Sequence, residues 1–201
     1  MGVEDRRTFF DRHAASWDDR FYGAEERTRL SELVQSFELV AGNRVLDVGT
    51  GTGVLLPFIR EAIGRKGWLA AMDFSFKMLQ QAAQRHKVVD AMLLNASAES
   101  IPFRSGQFDR VTCFAAFPHF PNKEIALLEM VRILRSKGSL TIAHLKSTQE
   151  IAQLHGQIGG AVARDRLPEP EALLILMGHS GLIDISMVDQ PGRFIAQGRK
   201  A

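Results

Sequence analysis

Nine residues constrain this chain more than any others. Val45-Leu46-Asp47-Val48-Gly49-Thr50-Gly51-Thr52-Gly53 runs apolar residues into an acid and then into three alternating glycines. This is the pattern of a buried strand ending in a tight turn, and the mostly apolar Val54–Ile63 that follows reads as the start of a helix. Glycines lack a Cβ, so a strand–turn–helix unit of this kind lets a ligand touch the backbone. A second acid, Asp73, stands 20 residues beyond Gly53. Together these features describe a cradle for a nucleotide-containing cofactor in an α/β chain.

Asp47 narrows the choice of cofactor. A dinucleotide would set its pyrophosphate against the turn, where a neighbouring carboxylate repels it. The dinucleotide spacing G-x-G-x-x-G also fails in both registers, because Val54 and Leu56 occupy the third-glycine positions. S-adenosylmethionine has no phosphate and carries an ammonium group, so an acid before the glycines favours it. Asp73 ends the next strand, where its two oxygens are placed to accept both ribose hydroxyls. An alternative role as a helix cap is weaker, since Ser75 is positioned to cap the helix and release Asp73. Phe74 and Met78 are then expected beside the adenine, with core packing as their alternative.

The rest of the chain extends the α/β pattern. Arg44–Val48, Trp68–Met72, Ala91–Leu94, Arg110–Phe114 and Ser139–Leu145 read as strands, with helices over Val54–Ile63, Ser75–His86 and Lys123–Leu134 between them. This alternation predicts a parallel sheet with helices on both faces. The third helix is expected to pack Ile125, Leu128, Val131 and Leu134 on the sheet. A helix over Glu171–Gly181 precedes Leu182–Val188 and Arg193–Gln197, two strands joined at Pro191-Gly192. Phe9–Val40 reads as two helices broken near Tyr22-Gly23, and Lys146–Pro170 as a helix followed by a loop. The predicted organisation is one domain. Residues 1–40 form an N-terminal helical lid, 41–145 the cofactor-binding core, 146–170 a substrate-lid insertion, and 171–201 a C-terminal helix and strand pair.

Several further motifs stand in a recognisable order: Met72-Asp73-Phe74-Ser75, Ala98-Glu99-Ser100-Ile101-Pro102-Phe103, Gln107-Phe108-Asp109 and Leu134-Arg135-Ser136-Lys137-Gly138. With the glycine turn they resemble the class I S-adenosylmethionine-dependent methyltransferases, in the branch of the ubiquinone/menaquinone-biosynthesis enzymes. The resemblance covers roughly Phe9 to Arg199. It implies a Rossmann-like, doubly wound seven-stranded sheet, mostly parallel, with an antiparallel C-terminal edge strand. It implies cofactor contacts from Asp47, Gly49, Thr50, Gly51, Gly53, Asp73, Phe74, Met78, Ala98 and Glu99, and from the backbone carbonyl at Phe114. Ser97 stands where the family commonly has Asp, and its hydroxyl can still meet the adenine amino group. Asp11, Ala15, Trp17 and Asp18 match the family's entry helix, with His13 near the cofactor end or merely packed.

Methyl transfer needs alignment of donor and acceptor more than elaborate catalysis. An acceptor hydroxyl, thiol or amine must still lose a proton, and histidine is the usual base at neutral pH. His119 and His144 fall at predicted strand ends and His155 in the insertion, so these three are the candidate catalytic residues. Convergence on a metal is disfavoured, because no tight ligand spacing is present. Phe114, Phe117, Phe120 and Trp17 are expected to line an apolar acceptor pocket. The Asn/Asp-Pro-Pro-aromatic motif of nucleobase amino-methyltransferases is absent from Phe114-Ala115-Ala116-Phe117-Pro118-His119-Phe120. Cys113, inside an apolar strand, reads as buried packing and not as a nucleophile.

The chain has 201 residues and a net charge of +2, with no block of like charges. Arg6-Arg7 and Arg199-Lys200 read as solvated surface, so nucleic acid is disfavoured as a partner. The expected partner is a small-molecule acceptor, with a homodimer allowed. The alternatives are an RNA-modifying methyltransferase and a non-catalytic S-adenosylmethionine-binding module. A single cysteine, no apolar signal within Met1–Arg12 and no run of about 20 apolar residues lead to a cytoplasmic expectation without a membrane span.

Overall fold

A computed structural model describes residues 5–201; residues 1–4 of the predicted N-terminal segment lie outside the described residues. The glycine turn sits where the sequence places it, between β1 (Arg44–Val48) and α4 (Leu56–Ile63). Before it come α1 (Arg6–His13), α2 (Trp17–Phe21) and α3 (Ala24–Gln35), broken at Tyr22-Gly23 as expected. After it follow β2 (Trp68–Asp73), α5 (Phe76–Arg85), β3 (Met92–Asn95) and β4 (Phe108–Phe114). The remaining elements are α6 (Lys123–Ile133), β5 (Leu134–His144), α7 (Thr148–Ile158), α8 (Pro170–His179), β6 (Leu182–Gln190) and β7 (Arg193–Lys200).

The seven strands form one sheet in the order β3-β2-β1-β4-β5-β7-β6. Pairings from β3 through β5 are parallel, and β7 runs antiparallel to both β5 and β6. The reversed strand is thus β7, one place in from the edge, with β6 outside it. The order of winding reverses between β1 and β4, and ligands of open α/β sheets bind at such a switch point. The fold therefore brings the glycine turn after β1 beside the loop after β4.

Alternation along the central strands builds a core on each face. Val45, Leu69 and Ala71 pack with Leu30 and Leu33 of α3, Ile59 and Ile63 of α4, and Leu55 at the start of α4. Leu46, Val48, Ala70 and Met72 point to the other face, against Leu127, Met130 and Val131 of α6 and Leu173 and Met177 of α8. A third, smaller cluster joins Phe9, Phe10 and Ala14 to Met78 of α5 and Val162 of the insertion.

Two local expectations are corrected. The buried face of α6 is Ala126, Leu127, Met130, Val131 and Ile133, whereas Ile125 and Leu128 are exposed. Seven apolar residues among the eleven of this helix leave the face ambiguous in sequence, and packing decides it. β5 begins at Leu134, five residues before the expected Ser139. A register shift against β4 between Phe108 and Arg110, and the left-handed Lys137 (φ 64°), accommodate the early start.

The α6 assignment makes a direct prediction. Leu127→Ala should cost about 2–5 kcal/mol in denaturant unfolding, the scale of a core truncation. Leu128→Ala should stay within about 0.5 kcal/mol of the parent, as an exposed change does. The reverse order would place the wrong face on the sheet.

Candidate functional site

Three glycines in the turn meet three different demands. Gly49 (φ 73°) approaches the loop after β4 so closely that a Cβ would lie 2.3 Å from that of Ala116. Gly53 (φ 80°) passes between Leu56, Ala82 and His86, all within 3.1 Å of where a Cβ would stand. Gly51 (φ 55°) has nothing within 4 Å of the corresponding point and faces a cavity. Of the three, only Gly51 leaves open space for a ligand at its missing side chain.

Buried carboxylates hold this turn in place. Asp73, at the end of β2, accepts the Gly51 amide at 2.9 Å and the Ser75 amide at 2.8 Å, one on each oxygen. Ser75 caps α5 through the Met78 amide, as the sequence predicts. Burial raises the Asp73 carboxyl to about 6, against the opposing effect of those amides. Asp47 lies beneath the turn, accepts the Thr112 hydroxyl at 2.7 Å, and is likewise raised to about 6 by burial. A carboxyl with a raised pKa adds stability below its unfolded value near 3.9 and loses it as pH rises through 6. At neutral pH both acids therefore weaken the empty fold, and a ligand that donates hydrogen bonds or brings positive charge offsets that cost.

The first cavity has a volume of about 370 Å³. Gly49, Thr50, Gly51, Asp73, Phe74, Met78, Ser97, Ala98 and Phe114 all line it. Asp47 and Gly53 do not, so they support the turn from below. Glu99 is also off the wall, and its carboxylate accepts the Asn122 amide at the start of α6. His13 is spent within α1, with Nδ1 against the Phe9 carbonyl. The N-terminal segment closes over this cavity through two acids. Asp11 accepts the Ser75 hydroxyl, and Asp18 accepts the Thr52 hydroxyl while pairing with Arg85 at 3.3 Å.

A second cavity, of about 360 Å³, lies beside the first. Trp17, Tyr22, Phe114, Ala115 and His119 line both and form the wall between them. Ala115 holds a left-handed conformation (φ 52°), a strained backbone state of the kind that collects at functional sites. His119, His144 and His155 all reach the second cavity. Phe117 is fully buried and lines neither cavity, contrary to the expectation for the acceptor pocket; Phe120 lines the first.

The three imidazoles differ in what they can do. His119 Nδ1 lies 2.8 Å from Asp165 Oδ2. Burial would raise the Asp165 carboxyl, but hydrogen bonds from His119 and Arg6 outweigh it and hold it at about 2. An ionised carboxylate only accepts, so Nδ1 carries the proton and Nε2 keeps its lone pair. Burial also lowers the pKa of His119, which keeps the ring neutral at neutral pH. His155 donates from Nδ1 to the Asp165 carbonyl at 2.8 Å. His144 is buried with its Nε2 unpartnered, and burial drives its pKa to about 3. No group of three or more His, Cys, Asp or Glu side chains among the described residues is arranged to hold a metal.

Sequence reasoning missed Asp165 and misjudged Arg6. Arg6 is no solvated surface residue, because it grips Asp165 through Nε at 3.0 Å and lines the first cavity. Asp165 sits between two arginines in the insertion loop, where no periodicity or motif marks it. Cys113 is buried in β4, as expected of a packing residue.

Residues 46–142 match the family model described as Methyltransferase domain. The uncharacterized methyltransferase YcgJ of Bacillus subtilis is 31% identical over 65% of this chain and 51% of its own length. The ubiquinone/menaquinone biosynthesis C-methyltransferase UbiE of Allorhizobium ampelinum is 34% identical over 54% of this chain and 44% of its own. The chain thus spans about half the length of the curated relatives it matches. A SAM dependent methyltransferase from Aquifex aeolicus superimposes with a TM-score of 0.70 at 20% identity, covering 98% of this chain and 100% of that one. Fold and family match agree: this is a Rossmann-like α/β chain whose residues 46–142 match a methyltransferase domain, and it is similar to S-adenosylmethionine-dependent methyltransferases. No helix among the described residues is long and apolar enough to cross a membrane.

The turn geometry separates two glycine substitutions. Gly51→Ala should cost only the left-handed backbone strain, roughly 1–2 kcal/mol. Gly49→Ala adds an overlap with Ala116 and should lose about 3 kcal/mol or more in thermal or denaturant unfolding. Equal losses would contradict the close approach of the two loops.

Proposed function

We propose that this chain transfers the methyl group of S-adenosylmethionine to a small-molecule acceptor held in the second cavity. The observation that carries this reading is the shared wall, with a neutral, carboxylate-oriented histidine between two adjoining cavities. In this reading the first cavity is the cofactor seat. Asp73 takes the ribose hydroxyls, Phe74 and Met78 flank the adenine, and Ser97 and Ala98 border its edge. The Gly49–Gly51 backbone and the Phe114 carbonyl face the amino-acid portion. A turn backed by two acids suits a cationic, phosphate-free cofactor. When bound, that cofactor supplies an electrophilic methyl carbon.

The protein's own residues do the rest. Trp17, Tyr22 and Phe114 confine the acceptor at the wall and exclude water. His119 Nε2 accepts the acceptor's proton, and Asp165 holds the ring in the tautomer that leaves Nε2 free and stabilises the imidazolium that results. Segments 5–35 and 146–170 serve as the lid, joined by the Arg6–Asp165 pair. His144 and His155 act as hydrogen-bonding points on the acceptor rather than as bases, since burial lowers both pKa values and, among the described residues, neither ring has a carboxylate hydrogen-bonded to it to stabilise an imidazolium. Methylation of a quinone precursor is one candidate within this class of acceptor.

Two measurements test the reading. Cofactor affinity by calorimetry should fall about tenfold per pH unit once pH drops well below the Asp73 value near 6, and Asp73→Asn should flatten that dependence. Affinity that stays level into acid would remove Asp73 from the ribose. Separately, with labelled cofactor and a metabolite extract, His119→Ala should lower kcat about 10²–10⁴-fold with cofactor affinity nearly intact. Unchanged turnover in that variant would leave alignment alone as the mechanism.

A further inference from the structure

The second cavity carries charge in an ordered way. Arg20 and Lys146 are exposed on its lining and Arg29 is half-buried, while His144, His155 and Ile151 are buried. One acid, Glu26, shares the lining with these three cations. None of the three cations has a carboxylate partner within ion-pair distance among the described residues. Arg29 donates to the carbonyls of Leu145 and Gly192 at 2.9 and 2.6 Å, and Arg20 lies over the Phe21 ring at 5.1 Å. Glu150, the acid nearest in sequence to Lys146, is held by the amides of Ser147 and Gly192. Two carbonyls cannot neutralise a guanidinium, and Glu150 acts on Lys146 only through space, so net positive charge faces the cavity, and low-dielectric walls focus its field on whatever enters.

Between those cations and the wall the lining is apolar, with Ile151, Leu154 and Ile158 of α7. The buried, unpartnered Nε2 of His144 adds an unmet hydrogen-bonding group at the same cavity, and such groups in native structures call for an explanation. A volume of about 360 Å³ is at the small end of ligand pockets, which run to roughly 1,000 Å³. That size suits a compact body better than a long isoprenoid chain.

Building on the methyl-transfer reading above, we propose that the acceptor is a compact molecule with an apolar body and one anionic group, a carboxylate or a phosphate. The anion lies against Arg20, Arg29 and Lys146, and a separate hydroxyl or thiol faces the wall at His119. In the transfer, a lone pair of that oxygen or sulfur forms the bond to the methyl carbon. The methyl–sulfonium bond breaks and its electrons stay on sulfur, while the acceptor's proton passes to His119 Nε2. The anion takes no part in bond making, so the product keeps its negative charge.

The experiment incubates the full chain with methyl-labelled S-adenosylmethionine and a pooled metabolite extract, then passes the mixture over an anion exchanger at neutral pH. The expected result is labelled product retained as an anion. Loss of that retention after phosphatase treatment identifies a phosphate, and persistence identifies a carboxylate. With the retained product's precursor as substrate, Arg20→Gln combined with Lys146→Gln should raise KM about tenfold or more, the scale of lost charge-assisted contacts. Cofactor affinity and unfolding midpoint should stay at parental values, which a merely structural role for these side chains would not give. A labelled product that is neutral or cationic, or an unchanged KM in the double variant, overturns this proposal and leaves the methyl-transfer reading standing. Absence of any labelled small molecule overturns that reading and this one with it.

Discussion

Everything at the ligand edge of this sheet depends on a carboxylate that the fold has buried. Asp73 ends β2 and receives amide protons from Gly51 in the turn after β1 and from Ser75 at the start of α5. One side chain thereby fixes the two segments that would flank a cofactor, one strand away from the point where the sheet reverses its winding. The cost is electrostatic, since burial raises its pKa to about 6 and keeping it ionised at neutral pH works against the empty fold. Asp47 repeats the arrangement one strand away. A pair of strained acids makes sense beneath a ligand that brings positive charge and hydroxyl donors, and it argues against one that brings phosphate.

Carboxylates also tie the covering segments to the core. Asp11 and Asp18 bind the N-terminal helices to α5 and to the glycine turn. Asp165 joins Arg6 on α1 to His119 at the wall between the cavities. The same bond that orients the imidazole also links the two segments that cover it. The position of α1 and the orientation of the imidazole thus share one buried ion, so disturbance of either segment is transmitted to His119. That coupling follows from geometry and from the cost of leaving Asp165 buried without a partner.

Much of this was legible in the sequence, and for identifiable reasons. β1, the glycine turn and Asp73 could be placed because a buried parallel strand leaves a continuous apolar run, and because left-handed turns favour glycine. β6 and β7 could be placed from the Pro191-Gly192 turn between two β-rich runs. The face of α6 was misjudged because its apolar residues are too dense for periodicity to choose among them. Glu99 matches a family position, yet its side chain turns to cap α6, a contact set by tertiary structure. Phe117 and Phe120 look alike in sequence, and only the turn after β4 sends one into the core and the other to a cavity. Asp165 was invisible because its partners, Arg6 and His119, are 159 and 46 residues away.

In the function proposed above, strand-end carboxylates and an open Gly51 make a seat for a cationic, phosphate-free cofactor. Calorimetric titration of the full chain at neutral pH probes that seat without intermediaries, with S-adenosylmethionine, its demethylated product and NAD compared in turn. The first two should bind saturably in the micromolar range usual for cofactors, and NAD should give no saturable heat. Tight binding of NAD, with no response to either sulfur compound, would show that the seat belongs to a different ligand.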